Sequence, residues 1–411
     1  MKILIVTQYF YPENFRINDF AFKMVRRGHE VSVITGIPNY PEGKFFGSYK
    51  SLGYESIEGV SVYRVPLIPR GKSRGIELAI NYFSFLISAI IFGPFLLRKV
   101  RPDIIFSVNY SPATVGLVGA FFSKLKKVPL FLWVQDLWPD SLVATGAVRS
   151  RFIISIIDIM VRWIYRQSDL IFVQSRSFGE SIQLLGDFYL KKIRYFPNWA
   201  EDTYDGDSKL VDENLNQLLP NDKFIIMFAG NLGIAQSLKT IVKAAAEVRQ
   251  YPIHWVFLGD GRQRQWLENI VTDYGLQDHI SILGRYPLDD MPTFFKLADV
   301  MLVTLKQDPL FEMTVPGKIQ SYLKNAKPIL SALDGEGASV INESGAGFNV
   351  PSDDYMGLAQ AAIEMSELSI DELDQMSANA REYYDKNFNV EVLLSQFENS
   401  IKLELSNKKV N

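Results

Sequence analysis

The sequence has no cysteine and only three histidines. The first absence excludes a disulfide framework, a thiol nucleophile and a cysteine-ligated metal, and the second leaves too few imidazoles for a histidine-built metal site. A strong excess of one charge is also missing. Lys and Arg number 43 against 46 Asp and Glu, a formal net charge of -3, so the balance gives no reason to expect nucleic acid as a partner. The amino terminus, MKILIVTQYF, carries one lysine and an apolar run that Gln8 ends before signal-peptide length, so the expected location is cytoplasmic. GxGxxG, the turn that brings a dinucleotide pyrophosphate onto a first helix, is absent too: Tyr9 to Asn14 stands in its place, which argues against a dinucleotide-binding first half.

What is present is an ordinary globular composition, 47% hydrophobic and 22% charged, over 411 residues. At roughly 100–200 residues per domain that length suggests two domains or three. Lys2 to Thr7 reads as a buried parallel strand, followed by a helix to about Arg27, Gly28 at its end and a strand from His29 to Thr35. His29, just past that glycine, reads as structural. Strands follow at Val60–Val65, Asp103–Val108, Leu130–Gln135, Leu170–Gln174 and Ile193–Phe196, with helices over Ile153–Tyr165 and Ser175–Leu185. The strand-poor run from Pro197 to Asp222 reads as a linker. The alternation then restarts with Phe224–Ala229, Trp255–Leu258, Ile280–Leu283, Val300–Leu305, Ile329–Leu330 and Gly347–Val350 as strands. Two successive runs of this kind predict an α/β protein of two facing doubly wound Rossmann-like domains with a cleft between them. The expected division is 1–200 and 201–389, with a final helix at about 390–411 packing back on the first domain.

Ile76 to Leu97 is almost wholly apolar and close to the roughly 20 residues that span a bilayer. Glu77, Gly93-Pro94 and the strand right after it argue against spanning, leaving a helix buried in the domain or one with a membrane-touching face. Arg64, Arg70, Lys72 and Arg74 form a local basic cluster just before it.

In FEMTVPGKIQSYLKNAKP, Val315, Ile319, Tyr322 and Leu323 recur at helical spacing, with Thr314 as a possible cap and Pro316 suited to a first turn. Lys318 then falls at the positive end of the helix dipole, where a cation is unfavourable by about 0.3–1 kcal/mol unless an anion shares the site. Beside Gly317 and free backbone N–H groups, phosphate is the natural anion; a solvated surface lysine is the alternative.

The segments PENFRINDFAFKMVRRGHEVSVITGIPNYPEGK, WVQDLWPDS, FPNWAE, FAGNLGIAQS, LGRY and TVPGKIQSYLKNAKPI, in this order and spacing, resemble a GT-B glycosyltransferase of family 4 over essentially the whole chain. The branch most resembled builds O-antigen or capsule repeat units and includes L-fucosamine transferases. The resemblance implies a retaining transferase that moves a sugar from a nucleotide sugar, UDP-linked by family, to a saccharide acceptor; the aromatic, basic and apolar first domain favours an undecaprenyl-diphosphate-linked one, met at the cytoplasmic membrane face through Ile76–Leu97 with Arg70, Lys72 and Arg74. No metal or other cofactor is implied, and Asp260, Asp289 and Asp290 make no metal triplet.

Carried over by residue, the resemblance makes Lys318 a diphosphate ligand and Glu312 the first glutamate of the family's Glu-x7-Glu motif. Its second position falls on Gln320, or on Ser321 if Pro316, Lys318 and Tyr322 anchor the alignment. The same resemblance assigns the donor site to Asn231, Leu232, Gly233, Gly259, Arg285, Tyr286, Thr314, Pro316 and Gly317. The basic pair usual after the first strand of the second domain is replaced by Asn231 and by Gln236 or Ser237, so phosphate binding leans on Lys318, Arg285 and backbone N–H groups. In the first domain Asp136 stands near the position of a cleft histidine in many relatives. It reads as the acceptor's base or orienting group, or as a helix cap. Glu13 and Asn14 follow the first strand, where Glu13 either meets the acceptor or caps the helix. Two rivals share the architecture: a sugar-nucleotide 2-epimerase, and a sugar-nucleotide-binding subunit without catalysis.

Overall fold

The computed structural model of the protein describes residues 1–47, 49, 52–72, 75–200 and 218–410. Most of the expected linker, and Arg74 of the basic cluster, lie outside the described residues. The chain divides into one unit of Met1–Phe196 with Glu398–Asn411 and a second of Pro197–Phe397.

The first unit is built on an eight-stranded sheet in the order β3-β4-β2-β1-β5-β6-β7-β8. Its strands are β1 (Lys2–Val6), β2 (Glu30–Gly36), β3 (Gly53–Ile57), β4 (Val60–Val65), β5 (Ile104–Asn109), β6 (Leu130–Val134), β7 (Leu170–Val173) and β8 (Ile193–Tyr195). The central strands bury both faces, as continuous Ile/Leu/Val/Phe runs require. Only β3 runs antiparallel, joined to β4 by Glu58-Gly59, both at positive φ as a two-residue hairpin demands. Its alternating GYESI lacked the apolar density that revealed the other strands. Strand order reverses between β1 and β5, so the loops after these two strands flank the crevice where open α/β sheets bind ligands. His29 is structural: one ring nitrogen meets the terminal amine at 3.1 Å, the other meets Glu398 at 3.0 Å, and Arg27 donates to the same carboxylate at 2.8 Å.

The apolar stretch, for which burial and a membrane-touching face were both open, forms helix Gly75–Leu96, buried on one side only. Asn81, Phe85, Ala89 and Gly93 pack inward, while Ile76, Ile80, Phe83, Ile87, Ile91 and Phe95 form an outward stripe with exposures from 45% to 78%. It is also long and apolar enough to cross a membrane by length and composition. Arg64 is no part of a surface cluster: it is 3% exposed, pairs with Glu55, and donates to the carbonyls of Tyr11 (2.6 Å) and Gly36 (3.2 Å).

The second unit has a six-stranded, all-parallel sheet in the order β11-β10-β9-β12-β13-β14. These strands are β9 (Phe224–Ala229), β10 (Ile253–Leu258), β11 (Ile280–Gly284), β12 (Val300–Thr304), β13 (Ile329–Ala332) and β14 (Gly347–Val350). Numbered within the unit, this is the 3-2-1-4-5-6 order of a dinucleotide-type doubly wound sheet. Alternate residues of β9 serve opposite cores. Ile225, Met227 and Ala229 pack with Phe294, Ile319 and Tyr322, whereas Ile226 and Phe228 pack with Leu238, Ile241, Leu267 and Leu358. Helix Gly317–Lys324 therefore covers one face of the sheet and helix Leu238–Glu247 the other.

Candidate active site

Three neighbouring strands of the second unit end in glycines at positive φ: Gly230 after β9, Gly259 after β10 and Gly284 closing β11. Gly230 N donates to Leu258 O at 2.8 Å and Gly259 N to Gly284 O at 2.7 Å, so the carboxyl ends stay bonded while the chain turns away. A Cβ on Gly259 would stand 1.9 Å from the Gly230 carbonyl, so no other residue fits there. Beside these turns lies a cavity of about 740 Å³ lined by Gly230, Asn231, Leu258, Gly259, Asp260, Gly261, Arg262, Arg285, Tyr286 and Met291. Arg262 and Arg285 are exposed there, and neither has a carboxylate within ion-pair distance among the described residues. Tyr286 is braced by Phe294, ring centroids 4.5 Å apart.

Lys318 approaches from the helix Gly317–Lys324, which has no acidic residue in its first turn. Its stem lies across Gly230, where a Cβ would come within 2.7 Å of Cε. Nζ stands 3.4 Å from the centroid of the Phe228 ring and donates to Gln236 Oε1 at 2.6 Å. No carboxylate compensates it among the described residues. Burial holds its pKa well below the usual lysine range. Tyr322 fixes the helix to the sheet, its hydroxyl donating to Ala229 O (3.2 Å) and accepting from Ala229 N (3.1 Å). An uncompensated, partly desolvated cation at a helix start beside a polar cavity is an arrangement that takes up an anion.

Of the residues expected at the donor site, Asn231, Gly259, Arg285 and Tyr286 share this cavity, and Lys318 adjoins it through Gly230. Others are placed differently. Leu232 is fully buried in the core, leaving only its backbone near the turn, where its N–H donates to Asp260 O at 2.9 Å. Gly233 lines a second, separate cavity. Gln320 is 2% exposed, and its amide satisfies its bonds when its nitrogen is assigned to face Pro316 O (2.9 Å) and Gly317 O (3.2 Å) of its own helix start, so the side chain is turned inward. Ser321 likewise donates to Gly317 O at 3.2 Å. Thr314 is not the helix cap, since its hydroxyl donates to Phe311 O at 3.0 Å; Pro316 holds the cap position, one residue before the first turn. Gly317 is the first helical residue. Glu312 ends the short helix Pro309–Glu312, half-buried and with no side-chain partner among the described residues. Sequence reasoning missed Arg262, which the glycine-flanked run Gly259-Asp260-Gly261-Arg262 after β10 could have disclosed. No cluster of three His, Asp or Glu able to hold a metal occurs among the described residues.

In the first unit, Asp136 follows β6 and accepts from the Trp138 indole N–H at 3.2 Å. Burial raises its pKa above the usual carboxylate range. It does not cap the next helix, Asp140–Ala144, whose cap position is Pro139. Glu13 is 3% exposed and neither meets solvent nor caps the helix Arg16–Arg26. Its Oε1 accepts from the N–H groups of Asn39 and Tyr40, both at 2.7 Å, and its Oε2 from Phe10 N at 3.3 Å. Burial outweighs these bonds and pushes its pKa up to about 7. Asn14 beside it is exposed. Around them Tyr9, Phe15, Tyr40 and Tyr110 form an aromatic cluster at the strand-order reversal, and Arg70 lies 4.8 Å from the centroid of the Tyr40 ring.

Two family models match in tandem: Glycosyl transferase 4-like domain over residues 14–199 and Glycosyl transferases group 1 over residues 212–383. The chain is a GT-B glycosyltransferase of family 4. The transferase is 28% identical to WcaI of Escherichia coli K12, named for colanic acid biosynthesis, over 98% of this chain and 100% of that protein. It is 26% identical to the glycosyltransferase WbjE of Pseudomonas aeruginosa over 76% of this chain and 78% of that one. Among solved structures, Anabaena HepE in complex with UDP-glucose superposes with a TM-score of 0.69 at 16% identity, covering 98% of this chain and 99% of that one. At that identity the likeness speaks for the fold.

Proposed function

We propose that the transferase moves a sugar from a UDP-sugar to a lipid-linked saccharide, with retention of configuration, in the assembly of an O-antigen, capsule or related surface polysaccharide. An N-acetylated deoxyhexosamine such as L-FucNAc is the proposed donor sugar. The observation that carries the reading is Lys318, uncompensated and laid across Gly230 beside the cavity that holds Arg262 and Arg285. Glycosyl transfer from a nucleoside diphosphate needs fixed positive charge where the leaving diphosphate gains charge, and these three side chains with the helix N–H groups supply it. The names of WcaI and of the HepE complex support the polysaccharide setting and the UDP donor. In this reading Asp136 orients or deprotonates the acceptor hydroxyl. The test is a screen of purified protein against UDP-, GDP- and dTDP-sugars with an undecaprenyl-diphosphate-sugar analogue. Transfer confined to GDP- or dTDP-sugars overturns the donor assignment; turnover of UDP-sugar without acceptor favours an epimerase.

The same proposal has the protein work peripherally on the cytoplasmic membrane face. The exposed stripe of helix Gly75–Leu96 supports it, as does a second helix, Arg151–Gln167, with Phe152, Ile156, Ile159 and Trp163 exposed at helical spacing. Exposed apolar side chains lined up along a helix face mark an interaction surface, and Arg98, Lys99 and Arg101 just after helix Gly75–Leu96 suit anionic lipid. Phe83→Glu with Ile87→Glu should release the protein from anionic liposomes in cosedimentation. Wild-type protein that never sediments with them refutes the membrane part alone.

A further inference from the structure

The second cavity of the second unit has a composition that the donor reading does not use. It measures about 440 Å³, and its lining includes Lys239 and Lys243 of helix Leu238–Glu247, Lys306 after β12, Trp266, Tyr355 and Asp353. It shares no lining residue with the larger cavity. The lysines beside the two also come from helices on opposite faces of the sheet: Lys318 from the one whose Ile319 and Tyr322 fill one core, and Lys239 from the one whose Leu238 and Ile241 fill the other.

Charge here is one-sided. None of the three lysines has a carboxylate partner among the described residues; Lys243 instead rests its ammonium 4.7 Å from the centroid of the Tyr355 ring. Among the described residues the one carboxylate lining the cavity is Asp353, held by neutral donors of the same region. Its Oδ1 accepts from Ser237 and, at 3.4 Å, from the Thr240 hydroxyl, and its Oδ2 accepts from Gln307 N at 3.1 Å. Asp353 thus ties lining segments together, and three lysines against its single carboxylate leave the cavity net positive. The helix behind Lys239 has no acidic residue in its first turn and no side-chain cap, so its dipole adds to the same potential. Trp266 and Tyr355 supply flat apolar walls, and a concave site that pairs aromatic walls with a few convergent charges suits a ring-bearing ligand of opposite sign.

We propose that this cavity binds an anionic sugar, recognised by the lysines through a phosphate or carboxylate and by Trp266 and Tyr355 through the ring, while the nucleotide occupies the other cavity. The assignment stands whether or not the donor is UDP-linked. Isothermal titration with glucose 6-phosphate, glucuronate, neutral glucose and inorganic phosphate tests it, each with and without saturating UDP. Glucose 6-phosphate or glucuronate should bind at least tenfold more tightly than glucose and than phosphate, with affinity unchanged by UDP, and which of the two binds tighter tells phosphate from carboxylate. Lys243→Ala with Lys306→Ala should weaken that binding at least tenfold while leaving UDP affinity and melting temperature unchanged. Trp266→Phe should remove any ligand-induced quenching of tryptophan fluorescence. The proposal is overturned by equal binding of glucose and the anionic sugars, by phosphate alone binding as tightly, by displacement with UDP, by absence of binding, or by a folded double variant that binds like wild type.

Discussion

Replacing Lys318 by methionine isolates its charge from its packing. The methionine stem still lies across Gly230 and against Phe228, so the variant deletes one ammonium and its 2.6 Å bond to Gln236 without opening a cavity. A hydrogen bond from a charged group is worth about 1.5–3 kcal/mol, so the dissociation constant for UDP should rise roughly 10- to 150-fold. Turnover should fall further, by on the order of 10²–10³, because the leaving diphosphate gains charge in the transition state and preorganised electrostatic groups contribute about 3–4 kcal/mol there. Stability should move the other way. Burial depresses the lysine's pKa, so between that value and the usual 10.5 the unfolded chain binds a proton that the folded protein does not. Wild-type stability therefore rises with pH across this window, and below it the buried charge is a fixed cost that methionine removes. Diphosphate binding restores the ammonium, so UDP affinity should weaken as pH rises through the lysine's folded pKa, with proton uptake above it. Calorimetry in two buffers of different ionisation heat, thermal melts and initial rates on one preparation measure all of this. A folded Lys318→Met protein with unchanged UDP affinity and unchanged turnover would refute the reasoning.

Asp136→Asn should cut turnover strongly and leave UDP affinity nearly unchanged, because the residue lies in the first unit and the cavity proposed for the nucleotide in the second; full specific activity shows that Asp136 only positions Trp138. Glu13→Gln should flatten the pH dependence of stability: with its pKa raised from 4.5 to about 7, wild type has this contribution in full below 4.5 and loses it as pH rises to 7, by about 3 kcal/mol. Denaturant melts at pH 5 and pH 8 report the difference, and an unchanged slope in the variant removes Glu13 as its source. Glu398→Gln should cost about 1.5–3 kcal/mol at pH 7 by weakening the bonds from Arg27 and His29. The carboxyl pKa, lowered to about 2, makes that contribution present above 4.5 and lost as pH falls toward 2, so the two proteins should melt alike in strong acid.

Strand and helix alternation was legible because it is written locally. Apolar runs such as Phe224–Ala229 announce buried parallel strands, and the glycines after β9 and β10 mark turns that other residues cannot make. Lys318 was legible for the same reason, since its place in a helix start follows from spacing alone. Which residues share a cavity was not. Leu232 and Gln320 stand in sequence beside Asn231, which lines the cavity, and Lys318, which adjoins it, but loop and helix geometry turn them inward, one into the core and the other onto its own helix.

By itself, then, the sequence determined two doubly wound units, the glycine-turned strand ends and a lysine set against a helix dipole, all properties of contiguous segments. Tertiary structure alone decided the rest, because burial and partnership depend on residues far apart in the chain. It made Arg64 a core cation between Glu55 and two carbonyls, gave Glu13 three amide donors from two loops, and left the outer side of helix Gly75–Leu96 bare. It also gathered Lys239, Lys243 and Lys306, from a helix and a distant strand end, around one cavity. Nothing local to any of the three marks that meeting, since it arises only when β12 pairs beside β9 and carries the end of one strand next to the helix that follows the other.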